Sequence, residues 1–304
     1  MKKKKKQKHM RRNPADKKLK NKKVKKVSFV DLHAHGMGAY DTRTNDPGSI
    51  LKIARMHEKK GTGLIYPAIY PADTETMRGQ MRAVSEAMNR SLTIGGVNLE
   101  GPFLNPEKCG ALDRASFKRP TLSNLKALIK GFEDIIKIIT IAPEIKGALK
   151  LIERCSELGI RVNMGHSDAT FKEASEGKKA GATGITHLFN AMRPFHHREP
   201  GLAGFALLDD ALYVELIADG VHLSLETLAL VLKVKAPDRI ILVSDAVKGA
   251  GKGKPVYING SLLAGGGKTI SECARMLEKT FGVEEKMIEL WGRKNPLRYM
   301  GFLD

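Results

Sequence analysis

The sequence predicts a (β/α)8 barrel of the TIM type. Three observations carry that reading. From Val27 onward, short β-rich runs alternate with helical stretches eight times. The runs are apolar throughout rather than alternating, as in a parallel sheet covered on both faces. Histidines and acids stand at or just past the ends of those runs, the rim where such barrels build active sites. A length of 304 residues suits one such domain.

The eight strands are read near Ser28–Leu32, Leu64–Ile69, Leu92–Leu99, Ile136–Ile141, Ile160–Met164, Gly184–Thr186, Tyr213–Ile217 and Ile240–Val243. Helices are read over Ser49–Lys60, Thr74–Asn89, Leu122–Lys130, Glu144–Leu158, Ala169–Lys179, Gly201–Asp209 and Ser224–Lys233, then Lys268–Phe281 and Glu284–Trp291. No internal repeat or flexible linker interrupts the series.

The domain is placed at residues 27–304, after a Lys-rich tail at 1–26. That tail holds fifteen Lys and Arg against one acid, Asp16, and so carries most of the formal charge of +19. With almost no apolar content it cannot bury a core and is expected to be disordered. A tether to nucleic acid or another polyanion is its functional reading; a plain solvated tail, or a start site set too far upstream, is the simpler one. No apolar stretch suits a secretory signal or a membrane span. The three cysteines, Cys109, Cys155 and Cys273, are far apart and show no zinc or redox spacing, which fits a reducing cytoplasm.

The stretch "VDLHAHG" sets the functional question. His33 and His35 share one strand face, a waste of two imidazoles in a core but sensible around a metal ion. The other strand ends answer it. They carry Glu100, His166, His187, then Asp219 with His222, and Asp245, so that five of the nine histidines sit at the rim. Two imidazoles and a carboxylate leave a coordination position free for water, as catalytic metal sites do. "GGGKT" at Gly265–Thr269 is not a phosphate loop, because Leu262 occupies the place of its first glycine. His9 and His57 are read as surface residues, and His196 and His197 as supporting ones.

In order, "DLHAHG", "NLEGPFLNPEKCGA", "TIAPE", "NMGHSDAT", "THLFNAMRPFHHREPGLAG", "ADGVHLS" and "LVSDA" resemble the N-acetylglucosamine-6-phosphate deacetylases of the amidohydrolase superfamily, from about Asp31 to the C-terminus. The resemblance implies hydrolysis of an amino-sugar phosphate's acetamide, in the cytoplasm, by a homodimer holding one or two divalent ions, zinc or iron. It implies Glu100, His166 and His187 as main ligands and His33 with His35 as the pair for a second ion. It implies Asp245 as the catalytic aspartate. Ala111, Leu112, Asn190, Ala191, Arg198, His222, Leu263, Ala264 and Gly265 would touch the substrate.

The match departs in three places. Leu112 stands where the family usually has a histidine near the acetyl group, and a leucine cannot donate to an oxyanion. "AVKGAGKGKP" after Asp245 replaces an alanine-rich stretch. The small β-domain that the family builds from both chain ends is expected to be missing. An amidohydrolase for another amide, or a ligand-binding barrel without catalysis, are the alternatives.

Overall fold

The computed structural model describes residues 28–258 and 260–304; the expected tail at 1–26, and Val27, lie outside them. Eight parallel strands pair in chain order: β1 (Phe29–Ala34), β2 (Thr62–Ile69), β3 (Val97–Phe103), β4 (Ile136–Ile141), β5 (Arg161–Met164), β6 (Gly184–Ile185), β7 (Tyr213–Leu216) and β8 (Ile240–Leu242). The seam between β8 and β1 closes just past the end of β8, against the last residues of β1 and His35. The Asp245 N–H donates to the His33 carbonyl at 2.9 Å and the His35 N–H to the Ala246 carbonyl at 2.7 Å. The buried Asp31 carboxylate accepts from the Ser244 hydroxyl at 2.5 Å and from the Ser244 N–H at 3.2 Å, clasping the same seam. The predicted barrel is the observed one.

Helices follow each strand: α1 (Pro47–Lys59), α2 (Thr74–Met88), α3 (Leu122–Ile129), α4 (Ala148–Glu157), α5 (Phe171–Lys179), α6 (Gly201–Leu208), α7 (Leu225–Val234) and α8 (Ile270–Phe281). Their inner faces keep helical spacing. In α8, Ile270, Cys273, Ala274 and Leu277 are buried; in α4, Ala148, Leu151, Ile152 and Cys155 are. Thr170–Glu173 and Thr269–Glu272 form reciprocal capping boxes that satisfy the first amides of α5 and α8. No described helix is long and apolar enough to cross a membrane.

The sequence reading misplaced some boundaries. The third strand starts at Val97, not Leu92, so Glu100 stands within it rather than beyond its end. The fourth helix begins at Ala148, after Gly147 at φ +98°, which leaves Glu144 in a loop. Three small features were not anticipated. They are a hairpin of Gly36–Met37 with Tyr40–Asp41, a second of Val256–Ile258 with Leu262–Gly265, and α10 (Asn295–Tyr299), which follows the short α9 (Glu285–Glu289). His57, read as a surface residue, is fully buried on the inner face of α1 with Ile50, Ile53 and Ala54.

Two apolar layers result. One lies between strands and helices. The other fills the barrel: Val30, Leu32, Leu64, Tyr66, Ile138, Ile217, Ile241 and Val243, with Tyr299 of α10 packed among them.

Candidate metal and substrate site

A register shift aims the paired histidines. On β1, Asp31 pairs with Ile65 of β2 and Ala34 with Pro67, so β1 holds one extra residue there. Such a bulge resets the in–out alternation. Val30 and Leu32 pack in the barrel interior, yet His33 also points there, reaching Glu100 of β3 and Glu215 of β7. β3 is irregular in the same way between its Leu99–Ile139 and Phe103–Ile141 pairs, the span that carries Glu100.

Six donors converge. Glu100 Oε1 lies 3.1 Å from Nε2 of both His166 and His187, and 3.4 Å from that of His33; its Oε2 lies 3.2 Å from His35 Nε2. The His33 and His35 Nε2 atoms are 3.2 Å apart. Asp245 Oδ1 stands 3.5 Å from His35 Nε2 and 3.7 Å from His33 Nε2. Two groups emerge, each with its ligand atoms within 4.8 Å of one another: Glu100 with His166 and His187, and His33 with His35 and Asp245.

Three imidazoles turn Nδ1 away from the centre toward groups that only accept. His33 donates to Glu215 Oε2 at 3.1 Å, His35 to the Ala68 carbonyl at 3.0 Å and His166 to the Lys108 carbonyl at 2.9 Å. That fixes the tautomer and leaves Nε2 facing inward. Burial would push Glu100 up, but the four surrounding imidazoles hold it well below the usual carboxylate range. Burial would likewise depress His33, but Glu100 and Glu215 hold it well above the ordinary imidazole value. The cluster demands positive charge at its centre, and its imidazole and carboxylate donors suit a divalent cation.

The backbone is strained at this place. His166 (φ +46°), His187 (φ +27°), Phe189 (φ +73°), Ala191 (φ +51°) and Asp245 (φ +46°) all sit in the left-handed region, which costs an ordinary residue about 1–2 kcal/mol. No other non-glycine among the described residues has positive φ.

A cavity of about 130 Å³ opens onto these donors. Ala111, Leu112, Asn190, Ala191, His222 and the hairpin residues Leu263–Gly265 line it beside the donor groups. His222 is fixed by Asp219, whose Oδ2 accepts from its Nδ1 at 2.8 Å; Asp219 and Asp245 hold the ring above its usual pKa against the pull of burial. Arg198 is not brought into this lining: it is exposed, with its guanidinium 3.1 Å from His197 Nε2. His196 and His197 are exposed beside it. A larger cavity of about 450 Å³ beside α8 shares none of these residues.

Several residues escaped the sequence reading. Tyr70 lines the cavity and stacks on His35 with ring centres 3.7 Å apart, and the Arg43 guanidinium covers the Tyr70 ring at 3.9 Å. Glu144 ties three loops, accepting from Asn105 Nδ2 at 2.9 Å, the Asp168 N–H at 2.6 Å and the Ser167 hydroxyl at 2.7 Å. Glu215 was legible as a lone acid inside the apolar run "YVELIA".

No family model matches the chain. Curated relatives do. N-acetylgalactosamine-6-phosphate deacetylase of Escherichia coli O157:H7 is 29% identical over 292 residues, 90% of this chain and 77% of the relative. N-acetylglucosamine-6-phosphate deacetylase of Bos taurus is 40% identical over 238 residues, 74% of this chain and 58% of the relative. The chain thus spans less than two thirds of the bovine protein. Among solved structures, N-acetylglucosamine-6-phosphate deacetylase from Thermotoga maritima superposes with a TM-score of 0.82 at 30% identity, covering 90% of this chain and 78% of that one.

Proposed function

The chain belongs to the N-acetylglucosamine-6-phosphate deacetylase family, and we propose that it hydrolyses the acetamide of N-acetyl-D-glucosamine 6-phosphate to glucosamine 6-phosphate and acetate. In this reading Glu100, His166 and His187 hold one divalent ion, and His33, His35 and Asp245 a second, weaker one; zinc or iron suits such imidazole-rich sets. When bound, a divalent ion polarises the acetyl carbonyl and lowers the pKa of water to about 7.

Asp245 moves the proton. Its carboxylate faces the cavity beside the histidine pair. It takes a proton from the attacking water as the oxygen bonds to the acetyl carbon. It then delivers that proton to the sugar nitrogen as the C–N bond breaks, so the amine departs neutral. The phosphate end is assigned to Asn190, Ala191 and His222, whose charged form is favoured by the neighbouring Asp219 and Asp245 against the pull of burial. The Leu263–Gly265 hairpin walls off the sugar. For Arg198 a phosphate contact requires its segment to fold inward. Arg198→Ala is expected to raise KM for the phosphorylated sugar far more than for the free sugar, and equal effects remove it from the site.

The observation that carries the reading is the placement of Asp245, in reach of both histidines of the pair and open to the cavity. The test is coupled detection of acetate released from N-acetylglucosamine 6-phosphate by metal-loaded protein; no acetate refutes the proposal. One observation favours a second reading. Leu112 lines the cavity and supplies no side-chain donor, which suits the same chemistry on an amide with a larger apolar acyl group. Faster turnover of an N-butyryl than of an N-acetyl substrate would select it.

A further inference from the structure

Glu215 has no place in the proton path, and its surroundings give it another task. It projects from β7 into the barrel interior beneath the donor cluster and is 2% exposed. Oε2 takes the His33 Nδ1–H at 3.1 Å, with the His187 N–H near it at 3.4 Å; Oε1 takes Asn163 Nδ2 at 2.8 Å. Asn163 Oδ1 in turn accepts from the Tyr299 hydroxyl at 2.5 Å, and that oxygen lies 3.2 Å from Thr183 Oγ1. A chain of hydrogen bonds therefore runs from the histidine pair down the barrel to α10 at the opposite end.

The backbone is fitted to this chain. A Cβ on Gly184 would fall 2.3 Å from Asn163 Oδ1 and 2.7 Å from the Tyr299 hydroxyl, so β6 passes where a bare glycine leaves room. A buried carboxylate is costly unless each oxygen is bonded, and here both are. Because Asn163 donates to Oε1, Oε2 is left to face His33, and the acceptor fixes His33 with Nδ1 protonated and Nε2 free toward the centre.

We propose that Glu215 is the positioning residue that makes His33 a metal ligand, and that Asn163 and Tyr299 anchor it from below. The inference rests on the assignment of a second ion to His33, His35 and Asp245. Partners of this kind typically set metal affinity by about 10–100-fold. Glu215 therefore governs the second ion through a side-chain bond to His33, whereas it meets the site of Glu100, His166 and His187 only through the long 3.4 Å approach of the His187 backbone N–H.

The test is calorimetric titration of zinc into metal-free protein, for the parent, Glu215→Gln, His33→Ala and the double variant. The parent should bind in two steps. Glu215→Gln should weaken the second step by about 10–100-fold with the first unchanged. In the His33→Ala background the same substitution should add nothing, because Glu215 acts through His33. Equal second steps in the parent and Glu215→Gln overturn the proposal and leave the metal assignment standing. A single step in the parent that survives His33→Ala overturns the metal assignment itself. If Glu215→Gln does not fold, Glu215→Asp carries the test. It keeps the charge but draws it one methylene back from Nδ1, so a weakened second step is expected and an unchanged one overturns the proposal.

Discussion

Asp245→Asn separates chemistry from architecture at this site. Asp245 holds φ +46°, a conformation that costs most side chains about 1–2 kcal/mol. Asparagine tolerates that region about as well as aspartate, so the backbone gains no strain. The N–H that closes the barrel seam on the His33 carbonyl at 2.9 Å is untouched. What disappears is the proton acceptor, its charge and the carboxylate ligand of the second ion, while the ligands of the first ion remain. General acid–base transfer contributes about 10²–10⁴ in rate, or roughly 3–5 kcal/mol of barrier. The side chain is 13% exposed, which leaves bulk water little room to replace it. The assay is kcat from acetate release at saturating substrate, with thermal melting and metal content on the same samples. The expected result is a fall in kcat of at least about 10², an unchanged melting temperature and retention of the ion at Glu100, His166 and His187. Asp245→Ala should lose as much rate and also melt earlier, because it adds the backbone strain that asparagine avoids. A kcat near that of the parent with full metal loading would remove Asp245 from the proton path.

Three further outcomes are expected. His187→Ala should purify with about one metal equivalent less, since a tightly held ion loses one of its three ligands; unchanged metal content by elemental analysis would sink the ligand assignment. Gly184→Ala should lower stability by about 1–3 kcal/mol, the usual cost of overpacking, because its Cβ would collide with Asn163 and Tyr299; an unshifted melting curve would mean that β6 gives way there. Burial in α4 pushes the Cys155 thiol up to about 12 from 9.0. The unfolded thiol ionises first, so the folded state binds more protons across that window and stability falls as pH rises through it, by about 1.4 kcal/mol per pH unit. Cys155→Ala should flatten the decline of stability above pH 9.0 by that amount, and an identical slope in urea unfolding would contradict the assignment.

The strand–helix alternation, the inner faces of α4 and α8 and the rim positions of His35, His166, His187 and Asp245 were all legible in the chain, because they depend on local periodicity and on where apolar runs stop. His57 was legible too: it continues the helical face of Ile50, Ile53 and Ala54, and was misread by treating it singly. Glu144 reads locally as a helix start, yet its work is to tie loops from three strands. The one-residue bulge in β1 is set by pairing with β2, so alternation within β1 could show that His33 and His35 share a face but not which face that is. Glu215, Asn163 and Tyr299 lie 52 and 136 residues apart at their two contacts, and no spacing rule joins them. No spacing rule shows either that Arg198, which the resemblance placed at the substrate, stands outside the cavity lining with its guanidinium beside His197. Periodicity is a property of neighbours a few residues apart, so the sequence specified the elements and their rim. Convergence, tautomer and strain arise from side chains that meet only after the barrel closes, and there the tertiary structure decided which of the candidate residues share one site.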